Sequence, residues 1–435
     1  MFGLYRFYLP AHITGLCFLV ITVAVRAQSG TGLTLPEAEQ LALSNEPGIV
    51  AAQARAQSMA EKSIAVGSLP DPEIRLGIAN LPVGSYNFNQ EPMTQKVIGI
   101  RQMFPPAGSR KAMRRQLGYQ GNALSQAAAA RSRRVLLDVR EAWLECYYWQ
   151  RASQTVTENR DFFRQLVKVT RSIYSVGRQN QQDMVRAELE LSRLDDRLLD
   201  INEQIRRNHA VLEQWIGAAA ARPMGDQLPV WQGYGDIQSL RKQLLQHPLL
   251  LAANAQVASA GAGVDAARSK YKPSLGLDFS YGQRENDPLG NRRDDFVSAM
   301  LTVSVPLFTG NRQDKDVSAA RHTEDASIND RDVLRRDLTR QLEAAFARWQ
   351  QLQFRIGLYD KTILEQSHIQ AQATLQAYQS DTGDFNDVMR AYVTDLNTQL
   401  DFIRLQTDRA KAYAQLDYLA GPPIGDNHHD ELAKK

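Results

Sequence analysis

The chain has 435 residues, with 51 Lys and Arg against 48 Asp and Glu, a net charge of +3 and two cysteines. Two cysteines exclude a disulfide framework or a cysteine-rich zinc fold, and so small a net charge gives no basis for nucleic acid as a partner. A hydrophobic fraction of 43% with 23% charge excludes global disorder, and a mean hydropathy of -0.40 describes an ordinary soluble protein of two or three domains.

The chain opens with Arg6 and an apolar run, densest from Ile13 to Val25, that ends in Arg26-Ala27. Positive charge, short apolar core and small last residue predict a secretory signal peptide over 1–27. The alternative is an uncleaved anchor; it needs about 20 apolar residues, and Pro10, His12 and Arg26 crowd this run. Bulky Leu16 before Cys17 argues against a lipid anchor. Losing Arg6 and Arg26 brings the net charge to +1 and leaves Cys146 alone, as suits an exported protein without a disulfide. No later stretch reaches 18 uninterrupted apolar residues, so no transmembrane helix is predicted.

The remainder is one unit written twice. Asn45-Glu46-Pro47 matches Gln246-His247-Pro248 at a spacing of 201, and Gly108-Ser109-Arg110 matches Gly310-Asn311-Arg312 at 202. Asp183-Met184-Val185-Arg186-Ala187 matches Asp387-Val388-Met389-Arg390-Ala391 at 204. The offset drifts by three residues where chance would scatter it. This gives a first repeat over 28–217, a linker rich in Ala, Gly and Pro over 218–235, a second repeat over 236–421 and a polar tail over 422–435.

Each repeat starts with a helix. Thr34 and Glu37 are placed as a capping box, and the helix is expected to run towards Pro70. Two strands follow. In repeat one Ile74, Leu76 and Ile78 alternate with smaller or polar residues, and Ile98 and Ile100 are read as alternating with Lys96, Gly99 and Gln102. In repeat two Leu275, Leu277, Phe279 and Tyr281 alternate with Ser274, Gly276, Asp278 and Ser280; Val297, Ala299, Leu301, Val303 and Val305 alternate with Ser298, Met300, Thr302 and Ser304. Long helices are expected from Arg110 to Tyr174 and from Arg312 to Tyr378, each on the order of 100 Å. After turns at Gly177 and Gly383, return helices end near Gly217 and Gly421. The first carries Leu191, Leu194, Leu198, Ile201, Ile205, Leu212 and Trp215 at three- and four-residue steps, a coiled-coil seam.

Strands of about 10 residues with one apolar face suit a transmembrane β-barrel, with Ile74, Leu76, Ile78, Leu275, Leu277, Phe279, Leu301 and Val303 facing lipid. A soluble sheet packed on a helix is the alternative. Four strands cannot close a barrel, so the chain must oligomerise: two copies supply eight strands, and three supply 12 and a lumen. The polar stretches Leu81–Thr94 and Gln283–Asp295 read as turns on the outer surface. The expected fold is mainly α with a small transmembrane β part, a barrel in the outer membrane continued by a helical tube across the periplasm.

Leu33-Thr-Leu-Pro-Glu-Ala-Glu-Gln-Leu-Ala-Leu43, Leu69-Pro-Asp-Pro72, Asn80-Leu-Pro82, Val305-Pro-Leu-Phe-Thr-Gly-Asn-Arg312 and the duplicated layout resemble TolC-type outer-membrane efflux factors. The Leu-Pro-Asp-Pro and Asn-Leu-Pro elements resemble the branch serving heavy-metal pumps of the resistance-nodulation-division class. The resemblance implies a homotrimer with a 12-stranded β-barrel and an α-helical periplasmic barrel. It also implies partners: outer-membrane lipid, a periplasmic adaptor and an inner-membrane pump.

No Gly-x-Ser-x-Gly, His-Glu-x-x-His or phosphate-binding glycine loop is present, so neither an enzyme nor a cofactor is expected. His428-His429 reads as part of a polar tail rather than a metal site. Cys146, among Trp143, Tyr147, Tyr148 and Trp149, reads as packed rather than reactive. Asp183, Arg186, Asp387 and Arg390 stand just beyond the helix–helix turns, where a first-turn acid is also a good partner for the helix dipole. In a threefold tube each becomes a ring, and the resemblance implies an aperture at Asp387. Arg390 stands where relatives often carry a second acid, so an Asp387–Arg390 ring pair or a salt bridge to a neighbouring subunit stands beside a double acidic ring as an alternative. Gly177 and Gly383 are assigned to tight turns for adaptor docking. The expected function is a passive exit duct of a tripartite efflux system, and the resemblance implies metal cations as its cargo. A periplasmic coiled-coil adaptor and a secreted helical enzyme are the alternatives.

Overall fold

The computed structural model describes residues 32–175, 181–231 and 233–420; the predicted signal peptide, Gly177, Gly421 and the polar tail lie outside them. Helices α1 (Leu35–Asn45) and α2 (Pro47–Gly67) replace the single helix expected up to Pro70. Proline has no N–H to donate and disfavours helical backbone in the residue before it, so Glu46 adopts an extended conformation. Glu46 then caps α2, accepting the Gly48 N–H at 3.1 Å. The second repeat breaks at the matching place, between α5 (Ile237–Leu244) and α6 (Pro248–Ser269). There the His247 Nδ1 accepts the Leu249 N–H at 3.2 Å. The capping box does not form: the Thr34 hydroxyl makes no cap bond, and Glu37 turns to the Arg222 guanidinium at 2.6 Å.

Strands β1 (Glu73–Ala79), β2 (Gln95–Phe104), β3 (Ser274–Gln283) and β4 (Phe296–Ser304) form one antiparallel sheet in the order 1-2-3-4. The β2–β3 pair joins the two repeats. Strand β1 has only 7 residues because Pro70 and Pro72, which cannot donate to a ladder, precede it. Helix α3 (Ser109–Ser175) runs unbroken for 67 residues. Its counterpart is not one helix, as expected, but α7 (Gln313–Leu358), a π turn at Tyr359–Ile363 and α8 (Leu364–Gln379). A π turn encloses one more residue than an α turn, so it gives the drifting offset between repeats a place to be absorbed. The return helices α4 (Gln181–Ile216) and α9 (Phe385–Ala420) have 36 residues each.

Three apolar clusters lie along the helices. In the first, Val139, Trp143 and Leu144 of α3 pack with Leu33, Leu35 and Ala38 at the start of the chain and with Leu212 and Ile216 of α4. The Trp143 indole donates to the Leu33 carbonyl at 2.9 Å. In the second, Leu194 and Ile201 of the expected seam meet Val156 and Phe163 of α3 and Leu396 and Leu400 of α9. Phe162 stacks on Tyr392 at 4.0 Å in the same region. The third joins Leu338 and Leu342 of α7 to Leu240, Leu244 and Leu416. The segment between repeats is packed too: Trp231 stacks on Tyr413 at 4.6 Å, and Leu33 bridges to Met224. Cys146 is buried, and that burial, with Glu145 beside it, pushes its thiol up to about 12.

His247 is fully buried, and burial followed by the nearby Arg133 guanidinium lowers its pKa from 6.5 to about 4. A histidine held neutral contributes stability above pH 6.5 that is lost as the pH falls towards 4, on the order of 3 kcal/mol in all. The melting temperature is therefore expected to fall across that window. In His247→Asn, which keeps a capping oxygen, this acid limb should flatten; an unchanged limb would refute the assignment.

Candidate functional site

The pairing register aligns the apolar residues of all four strands. Ile74 lies opposite Ile100, which lies opposite Phe279 and then Ala299; the next row is Leu76, Ile98, Tyr281 and Val297. Leu277 pairs with Leu301 and Leu275 with Val303. All eight strand positions singled out in the sequence, Ile78 among them, thus share one face, and Ile74 and Leu76 are 73% and 77% exposed. A soluble sheet would cover such a face. One detail of the alternation is corrected. Lys96 and Gln102 lie on the same face as Ile98 and Ile100, not the opposite one, because an even spacing returns to the same side. They sit at its two ends. The Lys96 ammonium reaches Glu285 at 2.8 Å and the Phe88 ring, while the Gln102 amide donates to the Pro70 carbonyl.

Helices continue the sheet in the same lateral order. α2 leads into β1, α3 follows β2, α6 leads into β3 and α7 follows β4; α2 packs beside α3, α3 beside α6 and α6 beside α7. The result is a single wall of strands above and helices below. At its two margins β1 and β4 pair with no further strand among the described residues; α2 and α7 continue them, and α7 also packs against α5 and α9. Both helical margins expose apolar side chains, Val50 and Ile64 on α2 and Val333 and Phe354 on α7.

At the far end, the turn after α8 closes with bonds from the Asp381 N–H to the Tyr378 carbonyl at 3.1 Å and from the Thr382 N–H to the Ala377 carbonyl at 3.0 Å. Asp381, at φ 59°, occupies the left-handed position where glycine is usual. Gly383 serves differently: a Cβ there would lie 3.0 Å from the Ala377 Cβ and the Tyr378 nitrogen. Asp384 caps α9 through the Asn386 N–H at 2.9 Å. Asn386 hydrogen bonds, with Arg186 and Arg390 nearby, hold its carboxyl below the usual range. Burial, then the charge of Asp384, raises that of Asp183, with Arg186 opposing. Charges of both repeats therefore meet here. Asp387 and Arg390 form an open pair at 4.0 Å, 61% and 79% exposed. Asp384 was missed in the sequence although Gly-Asp-Phe-Asn carries the N-cap signal.

Nearer the sheet, two ionic clamps lock the return helix α9. Arg140 of α3 binds Glu39 at 2.6 Å and also Asp417. Glu145 of α3 accepts from Arg404 at 3.0 Å and from Lys411; burial works against its charge, yet these bonds hold its carboxyl below the usual range. A cleft of about 570 Å³ beneath the inter-repeat segment is lined by Tyr147, Trp231, Trp349 and Tyr413, with Gln353 and Arg409. Of its rings, Trp231 and Tyr413 stack on one another.

The chain thus presents a sheet of strands 7–10 residues long, continued by long antiparallel helices. Residues 240–422 match the outer membrane efflux protein family. Protein CyaE of Bordetella pertussis is 27% identical over 226 residues, covering 49% of this chain and 47% of CyaE, so the match spans about half the length of that curated relative. The fold is similar to that of the outer membrane protein VceC from Vibrio cholerae, with a TM-score of 0.76, 17% identity and coverage of 90% of this chain and 96% of VceC. It is also similar to CusC, with a TM-score of 0.74, 16% identity and coverage of 89% and 92%. The family match therefore lies in the C-terminal part of the chain, and the fold resembles VceC and CusC along most of its length. VceC is an outer membrane protein, and CusC forms a transmembrane channel.

Proposed function

We propose that three copies close the wall into a tube and that this tube is the passive exit duct of a tripartite efflux system. The matched order of strands and helices, with both margins open, supports this reading most directly. Joining β1 and α2 of one copy to β4 and α7 of the next satisfies the strand edges and covers Val50, Ile64, Val333 and Phe354 in one head-to-tail contact. The apolar sheet face then meets outer-membrane lipid. That exposed face is also the observation against a periplasmic adaptor, which has no lipid to cover it. The sequence resemblance supplies the partners, a periplasmic adaptor docking on the tip turns at Gly177 and Gly383 and an inner-membrane pump that provides the energy.

The charged tip is the aperture in this reading. Asp183, Arg186, Asp387 and Arg390 become rings, and an exposed ion pair at 4.0 Å is worth at most about 1 kcal/mol, weak enough for a docking partner to break. In planar bilayers, Asp387→Ala and Arg390→Ala should raise single-channel conductance and alter cation preference. No change in either variant would sink the gating role.

Heat-resistant trimers should appear in outer-membrane fractions, and crosslinking should join the two margins. Leu301→Arg places a cation on the lipid face at a cost of about 2–4 kcal/mol and should deplete the assembled trimer; undiminished assembly would contradict the lipid-facing assignment. Sensitivity of a deletion strain to metal salts, dyes and drugs identifies the cargo. Metal hypersensitivity supports the heavy-metal branch, and hypersensitivity to drugs or dyes alone overturns it.

A further inference from the structure

The face of the sheet opposite the apolar one carries its charges in a single band. Glu73, Arg101 and Asp278 lie side by side across β1, β2 and β3, and Arg75 stands one step along on that face of β1. Arg75 Nη1 lies 3.2 Å from Asp278 Oδ1 and Arg101 Nε 3.4 Å from Asp278 Oδ2; Glu73 is 3.7 Å from Arg75. Arg75 reaches a carboxylate two strands away, a span of about 10 Å. Its opposite number on β2 is Gly99, so no side chain stands in its path. A Cβ at 99 would lie 3.0 Å from the Phe279 carbonyl and 3.1 Å from Ser280 Cβ. Gly99 is thus what lets the arginine lie flat across the middle strand. Arg101 Nε is shielded from solvent and has no hydrogen-bond acceptor beyond this ion pair. On β4 the residues of this face are uncharged, from Ser298 to Ser304, so a neighbouring copy joined there brings no strand charge to balance the band.

We propose that Arg75, Asp278 and Arg101 are the charge filter of the membrane end of the duct, determining whether anions or cations pass more readily. The inference rests on the trimeric pore reading, which turns this face into the lumen. Two arginines share one tightly held carboxylate, with Glu73 as a looser partner, so the intact band is balanced and permits ions of both signs. Removing one member unbalances it in a direction fixed by chemistry. Asp278→Asn leaves one uncompensated positive charge per protomer, and Arg75→Gln leaves one negative charge.

The test is the reversal potential of the full-length trimer in planar bilayers under a KCl gradient kept near 0.1 M, where charges act over about 10 Å. It is run on the otherwise wild-type chain and in an Asp387→Ala background, so that the tip does not mask the barrel. Asp278→Asn should move the K⁺/Cl⁻ permeability ratio towards Cl⁻ and Arg75→Gln towards K⁺, each by at least about twofold, and Arg75→Lys should keep the wild-type ratio. If Asp278→Asn fails to assemble, Arg75→Gln and Arg101→Gln carry the sign test, both towards K⁺. Channels of ordinary conductance with an unmoved ratio, or shifts of the same sign for opposite charges, overturn the filter alone. If the wild-type chain forms no channel, the duct reading falls and the filter falls with it.

Discussion

An antiparallel sheet of four strands has two edges whose N–H and C=O groups find no partner strand among the described residues, and hydrocarbon offers none. A helix solves this problem internally; a sheet solves it only by closing. The rest of the molecule follows from that constraint. Because α2 and α7 continue the edge strands, in the proposed trimer what seals the strands would also seal the helices, and one contact repeated around an axis would serve both parts. In the proposed head-to-tail contact the two sides need not resemble each other. One protomer can therefore carry two unlike repeats.

The polar interactions divide by depth. Arg140 and Glu145 are largely withdrawn from water, and each is matched by two opposite charges, as a buried ion must be. They tie α3 to α9 where aromatic packing already fixes the geometry. At the tip the pairs are exposed and longer, and like charges approach one another, as Asp183 and Asp384 do. The same residue types thus serve as a lock in one place and as a yielding contact in another. Solvent access makes the difference.

Much of this was legible because it is periodic. The duplication, the strand faces and the Leu191 to Trp215 seam all follow from spacing, and spacing is what sequence shows directly. Local competition was harder to read. Thr34 and Glu37 have the right order for a capping box, but an arginine 185 residues away from Glu37 takes its carboxylate. Nothing near Thr34 announces Arg222. Pro47 signalled a break and was passed over, although the capping Glu46 stands directly before it. The Arg75–Asp278 pair was invisible for another reason: it joins residues of different repeats, and only the β2–β3 register brings them within reach.

The π turn at Tyr359–Ile363 separates residue count from helical phase. In an unbroken α-helix an added residue rotates everything beyond it by about 100°, turning an apolar stripe towards water. A wider turn takes up the extra residue and leaves the flanking faces aligned, so Leu338 and Leu342 before it and Ala371 and Tyr378 after it are all buried. Two copies of one unit can therefore diverge in length without either losing its place in the wall. For a duplicated protein, that is freedom to vary where the straight α3 allows none.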